Sequence, residues 1–146
     1  MKARLHADGG ARGNPGPAGI GVVIFGEDGE VIGEIARGIG NATNNVAEYS
    51  ALIEGLKMSR DLGVTDLEIF LDSELVVRQL AGEWKIKNDR LRQLAVSARR
   101  MMNAFGSATI EHVRREFNAD ADRLANQGMD AAALEDEDPG QTTLLE

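Results

Sequence analysis

Hydrophobic and polar residues alternate along the first forty positions with the period of two that β-strands produce. Arg4–Asp8 is a short run of this kind that ends in a carboxylate, and the Gly- and Pro-rich stretch Gly9–Gly19 is predicted to be a loop. The β-branched-rich runs Ile20–Phe25 and Val31–Ile39 are joined by Gly26–Gly29, a turn sequence with a glycine available for positive φ. The pattern therefore predicts three antiparallel strands.

A period of about 3.6 residues replaces this alternation after position 45 and indicates a helix. Val46, Tyr49, Ile53 and Leu56 form its apolar stripe, and Gly63 follows its expected end. Five further elements are predicted. They are a strand at Leu67–Leu71, a short helix that Asp72 or Ser73 caps and that ends at Leu80, a helix at Asp89–Ala104, a strand at Thr109–Val113, and a helix at Ala119–Gln127.

The end of the chain differs in composition from the rest. Asn118 is the predicted cap of the last helix, and Gly128 is predicted to close it. Beyond it, Ala131–Glu146 contains five acidic residues, no basic residue and no aromatic residue, which is typical of disorder. The sequence thus predicts one domain over residues 1–129, followed by an acidic tail or the start of a linker over residues 130–146.

This order of elements predicts an α/β fold. The first three strands are antiparallel, and the later strands are reached by helical crossovers and so run parallel to their neighbours. The result is a mixed five-stranded sheet flanked by helices. Ligands of such sheets gather at the carboxyl ends of the parallel strands, where Asp8 and Asp72 are both expected.

Length and composition are those of one domain. A chain of 146 residues with 42% hydrophobic content buries roughly two-thirds of its unfolded surface on folding. The sequence has no cysteine, which excludes disulfides, and it has no apolar run near the ~18 residues of a membrane span. We expect a cytoplasmic monomer with no membrane partner.

The net charge of −8 argues against a nucleic-acid partner, because contacts to phosphate normally come from a surplus of lysine and arginine. Its distribution changes that conclusion, since residues 1–130 hold 16 basic and 19 acidic groups. If four of these acids bind metal ions, the remaining surface has a small positive excess. Arg78–Arg100 alone holds seven basic residues against Glu83 and Asp89. A nucleic-acid partner is therefore compatible with the sequence.

Four acidic residues are candidates for catalysis, although each has a structural alternative. Asp8 precedes two glycines and could form a turn, and Asp72 could cap a helix. Glu48 could close a capping box that begins at Asn45. Asp122 lies in a first helical turn, where the helix dipole favours negative charge.

The combination of the four acids favours a metal site. Two end neighbouring strands at one edge of the sheet, and two begin helices that can pack over that edge. Four such carboxylates repel each other unless a cation neutralises them, and oxygen ligands without His or Cys select Mg²⁺ or Mn²⁺. Two such ions about 3.5–4 Å apart can flank a scissile phosphate. The sequence therefore predicts phosphodiester hydrolysis.

Four segments resemble the successive motifs of ribonuclease HI, in the order and spacing of that family. They are Asp8–Gly19, Ala42–Glu48, Leu71–Ser73 and Asn118–Ala125, and the resemblance covers residues 1 to about 128. It implies a ribonuclease H-like fold and an endonuclease that cuts the RNA strand of RNA–DNA hybrids, leaving 3′-hydroxyl and 5′-phosphate ends. It also implies two Mg²⁺ ions, with Mn²⁺ as a substitute. The implied catalytic and metal-binding residues are Asp8, Glu48, Asp72 and Asp122.

The resemblance also implies contacts with both strands of the hybrid. The matching substrate-binding positions are Gly10, Arg12, Asn14, Thr43, Asn44, Asn45, Ser73, Trp84, Lys85, Lys87 and Asn118. Amide side chains suit this role because they can donate to and accept from a 2′-hydroxyl. The alternative is that Thr43 and the asparagines cap helices and turn loops, and that Trp84 packs where two helices meet.

The chain departs from many members of that family in two places. A long basic insertion between the two middle helices is replaced by the short segment Trp84–Asp89, so weaker substrate binding is expected. The loop Arg114–Asn118 lacks the histidine that many relatives have before the last helix. Arg115 or Glu116 is the candidate for its role in proton transfer or product release. A fused or partner domain beyond the acidic tail is a further expectation.

Three other functions compete with this interpretation. An exonuclease or integrase of the same fold would show a different spacing of acids and would lack the pair Asn44–Asn45 ahead of the glutamate. A binding module without catalysis is disfavoured because all four acids are present. A nucleotide-binding phosphate loop is disfavoured because Gly13–Pro17 lacks the Gly-Lys-Ser/Thr ending. His6 and His112 are predicted to pack inside strands.

Overall fold

Five strands and four helices follow each other within residues 1–137, the part of the chain that this computed structural model describes. The strands are β1 (Lys2–Ala11), β2 (Gly16–Phe25), β3 (Val31–Ala42), β4 (Asp66–Leu71) and β5 (Ser107–His112). The helices are α1 (Asn44–Asp61), α2 (Glu74–Leu80), α3 (Asp89–Asn103) and α4 (Ala119–Glu137), and a 3-10 turn (Arg115–Asn118) precedes α4. The predicted order of elements is confirmed.

The strands form one mixed sheet in the order β3-β2-β1-β4-β5. β1 pairs antiparallel with β2, and β2 pairs antiparallel with β3, whereas β1–β4 and β4–β5 are parallel. Buried side chains of β1, β2 and β4 pack on α1 and α3 on one face, and α4 covers β2 and β3 on the other. The predicted α/β fold is confirmed. Within residues 1–137, every helix is too short or too polar to span a bilayer.

Most of the predicted glycine-rich loop is strand. β1 continues to Ala11 and β2 already begins at Gly16, so the connection is only four residues long. Gly13, with φ of 84°, lies in the turn, whereas glycines within the strands serve close packing: a Cβ on Gly9 would lie 2.1 Å from the carbonyl oxygen of Ala47 in α1. A Cβ on Gly19 would lie 2.2 Å from the backbone nitrogen of Met129 in α4. Only glycine lets both helices lie directly on the sheet.

The last helix is longer than predicted. Gly128 lies inside it and does not end it. Glycine is needed there for packing, because a Cβ would lie 2.3 Å from the carbonyl oxygen of Arg37 in β3. The helix continues through the alanine-rich stretch that follows, where Ala132 is buried against β3. The prediction of disorder from Ala131 is therefore wrong as far as Glu137. The remainder of the predicted tail, residues 138–146, lies outside the described residues, and the domain boundary at 129 stays a prediction.

Candidate active site

Two of the candidate acids leave neighbouring strands side by side. The parallel pairing of β1 with β4 ends at the pair Ala7 and Leu71, so the next residue of each strand, Asp8 and Asp72, lies at the same edge. Asp8 is still inside β1, opposite Gly21 of β2, and is only 7% exposed. It therefore does not form a turn, which excludes its structural alternative.

Glu48 reaches the same place from α1. One carboxylate oxygen from each of Asp8, Glu48 and Asp72 lies within 4.8 Å of the other two. The close contact between α1 and Gly9, made at Ala47 and the backbone of Glu48, is what brings the start of this helix beside Asp8. Three acids that are far apart in sequence thus form one cluster, which we call the carboxylate cluster.

The helix caps remove two more structural alternatives. The hydroxyl of Thr43 caps α1 by accepting from the backbone N–H of Val46 at 3.2 Å, so the predicted capping box at Asn45 is wrong. The hydroxyl of Ser73 caps α2 by accepting from the N–H of Val76 at 3.3 Å, so Asp72 is not needed as a cap. Glu48 and Asp72 have no part in either cap.

Asp122 lies beside the carboxylate cluster without joining it. It lies in the first turn of α4, where its side chain is 28% exposed, and it contributes to raising the pKa of Asp8. Arg115 donates from Nη2 to Oδ1 of Asp122 at 3.1 Å. This carboxylate is therefore held partly neutralised at the edge of the cluster by an arginine from the preceding turn.

The electrostatics of the cluster favour a bound cation. Burial first, and then the neighbouring Asp72 and Asp122, together raise the pKa of Asp8 to about 8. Burial, followed by the charges of Asp8 and Asp72, raises the pKa of Glu48 well above its ordinary value, against the lowering effect of the Gly9 backbone N–H. Within residues 1–137, the buried Oε2 of Glu48 has no hydrogen-bond partner. An oxygen-only donor set with an unpaired buried atom fits a hard divalent cation such as Mg²⁺ or Mn²⁺.

The acids form the floor of an open cleft of about 510 Å³. Its lining residues are Asp8, Gly9, Gly10, Ala11, Arg12, Asn44, Glu48, Asp72, Arg115, Asp122, Asn126 and Met129. Asn126 and Met129 were not identified from the sequence, although Asn126 lies within the predicted helix and Met129 just beyond its predicted end at Gln127. Their spacing of four and seven residues from Asp122 places them on the same helix face, which is the pattern that could have identified them.

The predicted substrate-binding asparagines order the rim of the cleft. Asn44 accepts at Oδ1 from the N–H of Ala11 at 2.8 Å and donates its backbone N–H to Oδ1 of Asn14 at 3.0 Å. Asn45 is exposed beside them, and Arg12 forms an ion pair with Asp130 of α4. These side chains connect the β1–β2 turn to the start of α1 while remaining at the surface. Their contact with substrate stays a prediction.

Asn118 does not fit its predicted roles. Its side chain is 1% exposed, donates from Nδ2 to the carbonyl of Ala7 at 2.9 Å, and lies 3.1 Å from Nδ1 of His6. A buried amide with both ends engaged neither caps α4 nor reaches a substrate. Instead it fixes the start of α4, one turn before Asp122, to the residue that precedes Asp8.

The loop before α4 separates the two candidates for proton transfer or product release. Arg115 lines the cleft, but Asp122 raises the pKa of its guanidinium, which keeps its proton and so is unsuited to proton transfer. Glu116 lies 3.7 Å from Arg114 and lines a different groove, next to His6, so the structure does not place it in the cleft. A product-release role for Arg115 stays a prediction.

The two histidines differ. The ring of His6 stacks on Phe70 at 4.9 Å and meets the edge of Phe25 at 5.6 Å, so its predicted packing role is confirmed. Burial is the main cause that lowers its pKa. His112 is exposed at the end of β5, so its predicted placement in a strand core is wrong. Its strand is the edge strand of the sheet that residues 1–137 form.

Trp84, Lys85 and Lys87 lie outside the cleft, in the connection between α2 and α3. The indole of Trp84 is 42% exposed and has the guanidinium of Arg78 5.5 Å from its centroid. Both lysines are exposed, whereas Ile86 between them packs against the core. Trp84 thus lies where α2 and α3 meet, packed against Arg78 and partly exposed, so its packing role stays an alternative and its contact with substrate stays a prediction.

Comparisons with known proteins agree on one family. A family model described as reverse transcriptase-like matches residues 6–128. A bifunctional protein of Mycobacterium tuberculosis is 47% identical over 150 residues, which cover 100% of this chain and 41% of that protein. The ribonuclease HI of Halobacterium salinarum is 46% identical over 131 residues, which cover 88% of this chain and 66% of that protein.

One solved structure of similar fold contains a bound nucleic acid. The LC11 ribonuclease H1, which was isolated from compost, has a crystal structure in complex with an RNA/DNA hybrid. It matches this chain with a TM-score of 0.84 and 41% identity, over 90% of this chain and 99% of that one. The chain spans less than half of the length of the Mycobacterium relative, and a further domain beyond the acidic tail stays a prediction.

Proposed function

The chain belongs to the ribonuclease H family, and we propose that it is an endonuclease that hydrolyses the RNA strand of RNA–DNA hybrids. The observation that carries this proposal is the convergence of Asp8, Glu48 and Asp72 at the floor of an open cleft, with Asp122 beside them. A relative with 41% identity has been solved with an RNA/DNA hybrid, which supports the substrate class.

We further propose that two divalent cations, Mg²⁺ or Mn²⁺, are held by Asp8, Glu48, Asp72 and Asp122. When bound, these ions would supply an activated water and charge stabilisation for the leaving oxygen, giving 3′-hydroxyl and 5′-phosphate ends. The four carboxylates would bind and orient the ions, and Asp8 and Glu48, whose pKa values are raised in the ion-free protein, would give up their protons on binding. Arg115 keeps the carboxylate of Asp122 in place from the rim.

The rim of the cleft would recognise the hybrid. Gly10 and Asn44 line the cleft, and Asn45 is exposed at the start of the same helix as Glu48. Amide groups at this place can donate to and accept from a 2′-hydroxyl, which distinguishes RNA from DNA. This arrangement supports a preference for the RNA strand.

A substrate panel tests the proposal. The protein is incubated with labelled RNA–DNA hybrid, duplex DNA, duplex RNA and single strands, each with Mg²⁺ and with a chelator. We expect cleavage of the RNA strand of the hybrid alone, and only with metal. Binding of hybrid without cleavage would instead indicate a binding module, and cleavage of duplex DNA would indicate another nuclease of the same fold.

The lysines next to Trp84 give a prediction about affinity. Replacing Lys85 and Lys87 with alanine should raise KM about five- to tenfold and lower the logarithmic salt slope by up to about 2, because each phosphate contact contributes about 0.9. The saturated rate should change less than about twofold, because these contacts would bind the substrate and the transition state equally well. The measurements are steady-state kinetics and hybrid binding across a range of salt concentrations.

A matched control removes the same charge elsewhere. Lys2→Ala with Lys57→Ala deletes two lysines that do not line the cleft and should leave KM and the salt slope close to those of the parent. If the Lys85 and Lys87 variant binds hybrid as tightly as the parent at every salt concentration, this segment is only a helix connection. The hybrid would then follow another face.

A further inference from the structure

The connection between α2 and α3, which we call the α2–α3 segment (Ala81–Asn88), is held in place by side chains rather than by a strand or helix of its own. Three consecutive carbonyls accept hydrogen bonds from side chains. The carbonyl of Lys85 accepts from Nε2 of Gln79 at 3.4 Å, that of Ile86 from Nε of Arg92 at 3.0 Å, and that of Lys87 from Nη2 of Arg92 at 3.1 Å. The backbone that carries both lysines is thus fixed.

Arg92 makes two of these three bonds, and its geometry suits the task. A guanidinium presents its donors in a rigid planar fork, so a single side chain can hold two neighbouring carbonyls at a fixed spacing. The same side chain forms an ion pair with Asp89 at 3.1 Å. A lysine at this position would keep the charge but could not reproduce the fork.

Gln79 links the α2–α3 segment to the helix of the carboxylate cluster. The buried hydroxyl of Tyr49 donates to Oε1 of Gln79 at 2.7 Å, and Tyr49 directly follows Glu48 in α1. Arg99 of α3 also donates to the carbonyl of Gln79, at 2.7 Å. These bonds set the place of the α2–α3 segment relative to the candidate metal ligands.

The start of the α2–α3 segment is fixed by Arg78. The carbonyl of Arg78 accepts from the N–H groups of Glu83 at 2.9 Å and Trp84 at 3.3 Å, after a left-handed Gly82 with φ of 78°. Its guanidinium forms an ion pair with Glu83 at 2.6 Å and lies over the indole of Trp84. Trp84 is thus held on one side and exposed on the other.

We propose that Arg92 is a positioning residue for substrate binding, which acts together with Gln79 and Arg78 to keep Trp84, Lys85 and Lys87 in a preformed arrangement that meets one strand of the hybrid. This proposal rests on the proposed function. Long basic side chains on a short, unordered connection would lose conformational entropy on binding, and a connection that is already ordered avoids that cost. In this chain, side-chain hydrogen bonds would order the short α2–α3 segment for substrate binding, in place of the longer basic insertion of many relatives.

The single tryptophan makes the proposal measurable before any substrate is added. Arg92→Lys retains the charge and loses the fork, Arg92→Met loses both, and Arg60→Met removes an exposed arginine from the last turn of α1 as a control. In the free protein, acrylamide quenching of Trp84 should increase about 1.5- to twofold in both Arg92 variants and stay unchanged in the control. Thermal melts check that each variant is folded.

Kinetics with the hybrid complete the test. Arg92→Lys should raise KM about three- to tenfold with kcat within about twofold and an unchanged salt slope, because the charge is kept while the order is lost. If the KM of Arg92→Lys equals that of the parent and only the KM of Arg92→Met is raised, Arg92 acts only through its charge and the proposal is wrong. Increased acrylamide quenching of Trp84 with an unchanged KM would also overturn the proposal. A parent protein that neither binds nor cleaves hybrid would refute the proposed function itself. The quenching data are obtained without substrate, so they would still report whether Arg92 orders the α2–α3 segment.

Discussion

Asp72→Asn is expected to lower kcat on an RNA–DNA hybrid by about a thousandfold or more while the protein stays folded. The substitution removes one charge from a cluster whose members lie within 4.8 Å of each other, and the proposed chemistry requires a cation bound by this cluster. Asparagine is as good a helix cap as aspartate, and Ser73 already caps α2, so no loss of helix stability is expected. The measurement is the single-turnover rate at saturating Mg²⁺.

A neighbouring acid provides the control for this experiment. Asp120 lies in the same first turn of α4 as Asp122, but it does not line the cleft, and it pairs with Arg123 at 4.0 Å. Asp120→Asn should therefore keep a rate within about twofold of the parent. If Asp72→Asn retained more than a tenth of the parent rate, the carboxylate cluster would not be the catalytic centre.

Asp8→Asn is expected to make the metal-free protein more stable at neutral pH, by more than about 1 kcal/mol, because one unit of raised pKa corresponds to about 1.4 kcal/mol. Burial and neighbouring acids raise the pKa of Asp8 from 3.8 to about 8, so near pH 7 the folded parent holds a proton that the unfolded chain has lost. Stability of the parent in chelator should therefore rise as pH falls from about 8 towards 4. Asparagine cannot ionise, so the variant should lack this part of the pH dependence.

Mg²⁺ should reverse the order of stability of the parent and Asp8→Asn. Mg²⁺ should raise the melting temperature of the parent by several degrees, because ligand that binds only the folded state stabilises it, and should raise that of Asp8→Asn much less. Melting curves between pH 5 and 8, with Mg²⁺ and with chelator, measure both effects. Identical curves for the two proteins under all conditions would show that the acids do not act on one another.

The strands and the first three helices could be predicted because periodicity and turn residues report local structure. The alternation in Ile20–Phe25 and the stripe that includes Tyr49 and Leu56 gave elements of the right type at the right place. The glycine-rich stretch and Gly128 could not be interpreted in this way. Glycine marks a turn and a close helix–sheet contact equally well, and only the packed structure distinguishes the two.

The candidate site shows the same division. Acids at the ends of strands were recognisable because parallel topology brings such ends together, and the resemblance of the motifs to one family pointed to Glu48 and Asp122. The amide of Asn118 was misassigned because its partners, Ala7 and His6, are more than a hundred residues away in the chain. The hydrogen bonds of Arg92 to backbone carbonyls also have no signature in the sequence.

The glycine contacts beneath the carboxylate cluster limit how this protein could be engineered. Gly9, Gly19 and Gly21 carry helices α1 and α4 directly on the backbone of the sheet, and a single added methyl group would meet helix backbone at 2.1–2.2 Å. The spacing between the strands and helices that hold the acids therefore cannot be adjusted by small steps. New substrate preferences or altered rates would have to come from the rim of the cleft and from the α2–α3 segment, where side chains can vary in size without moving the four acids.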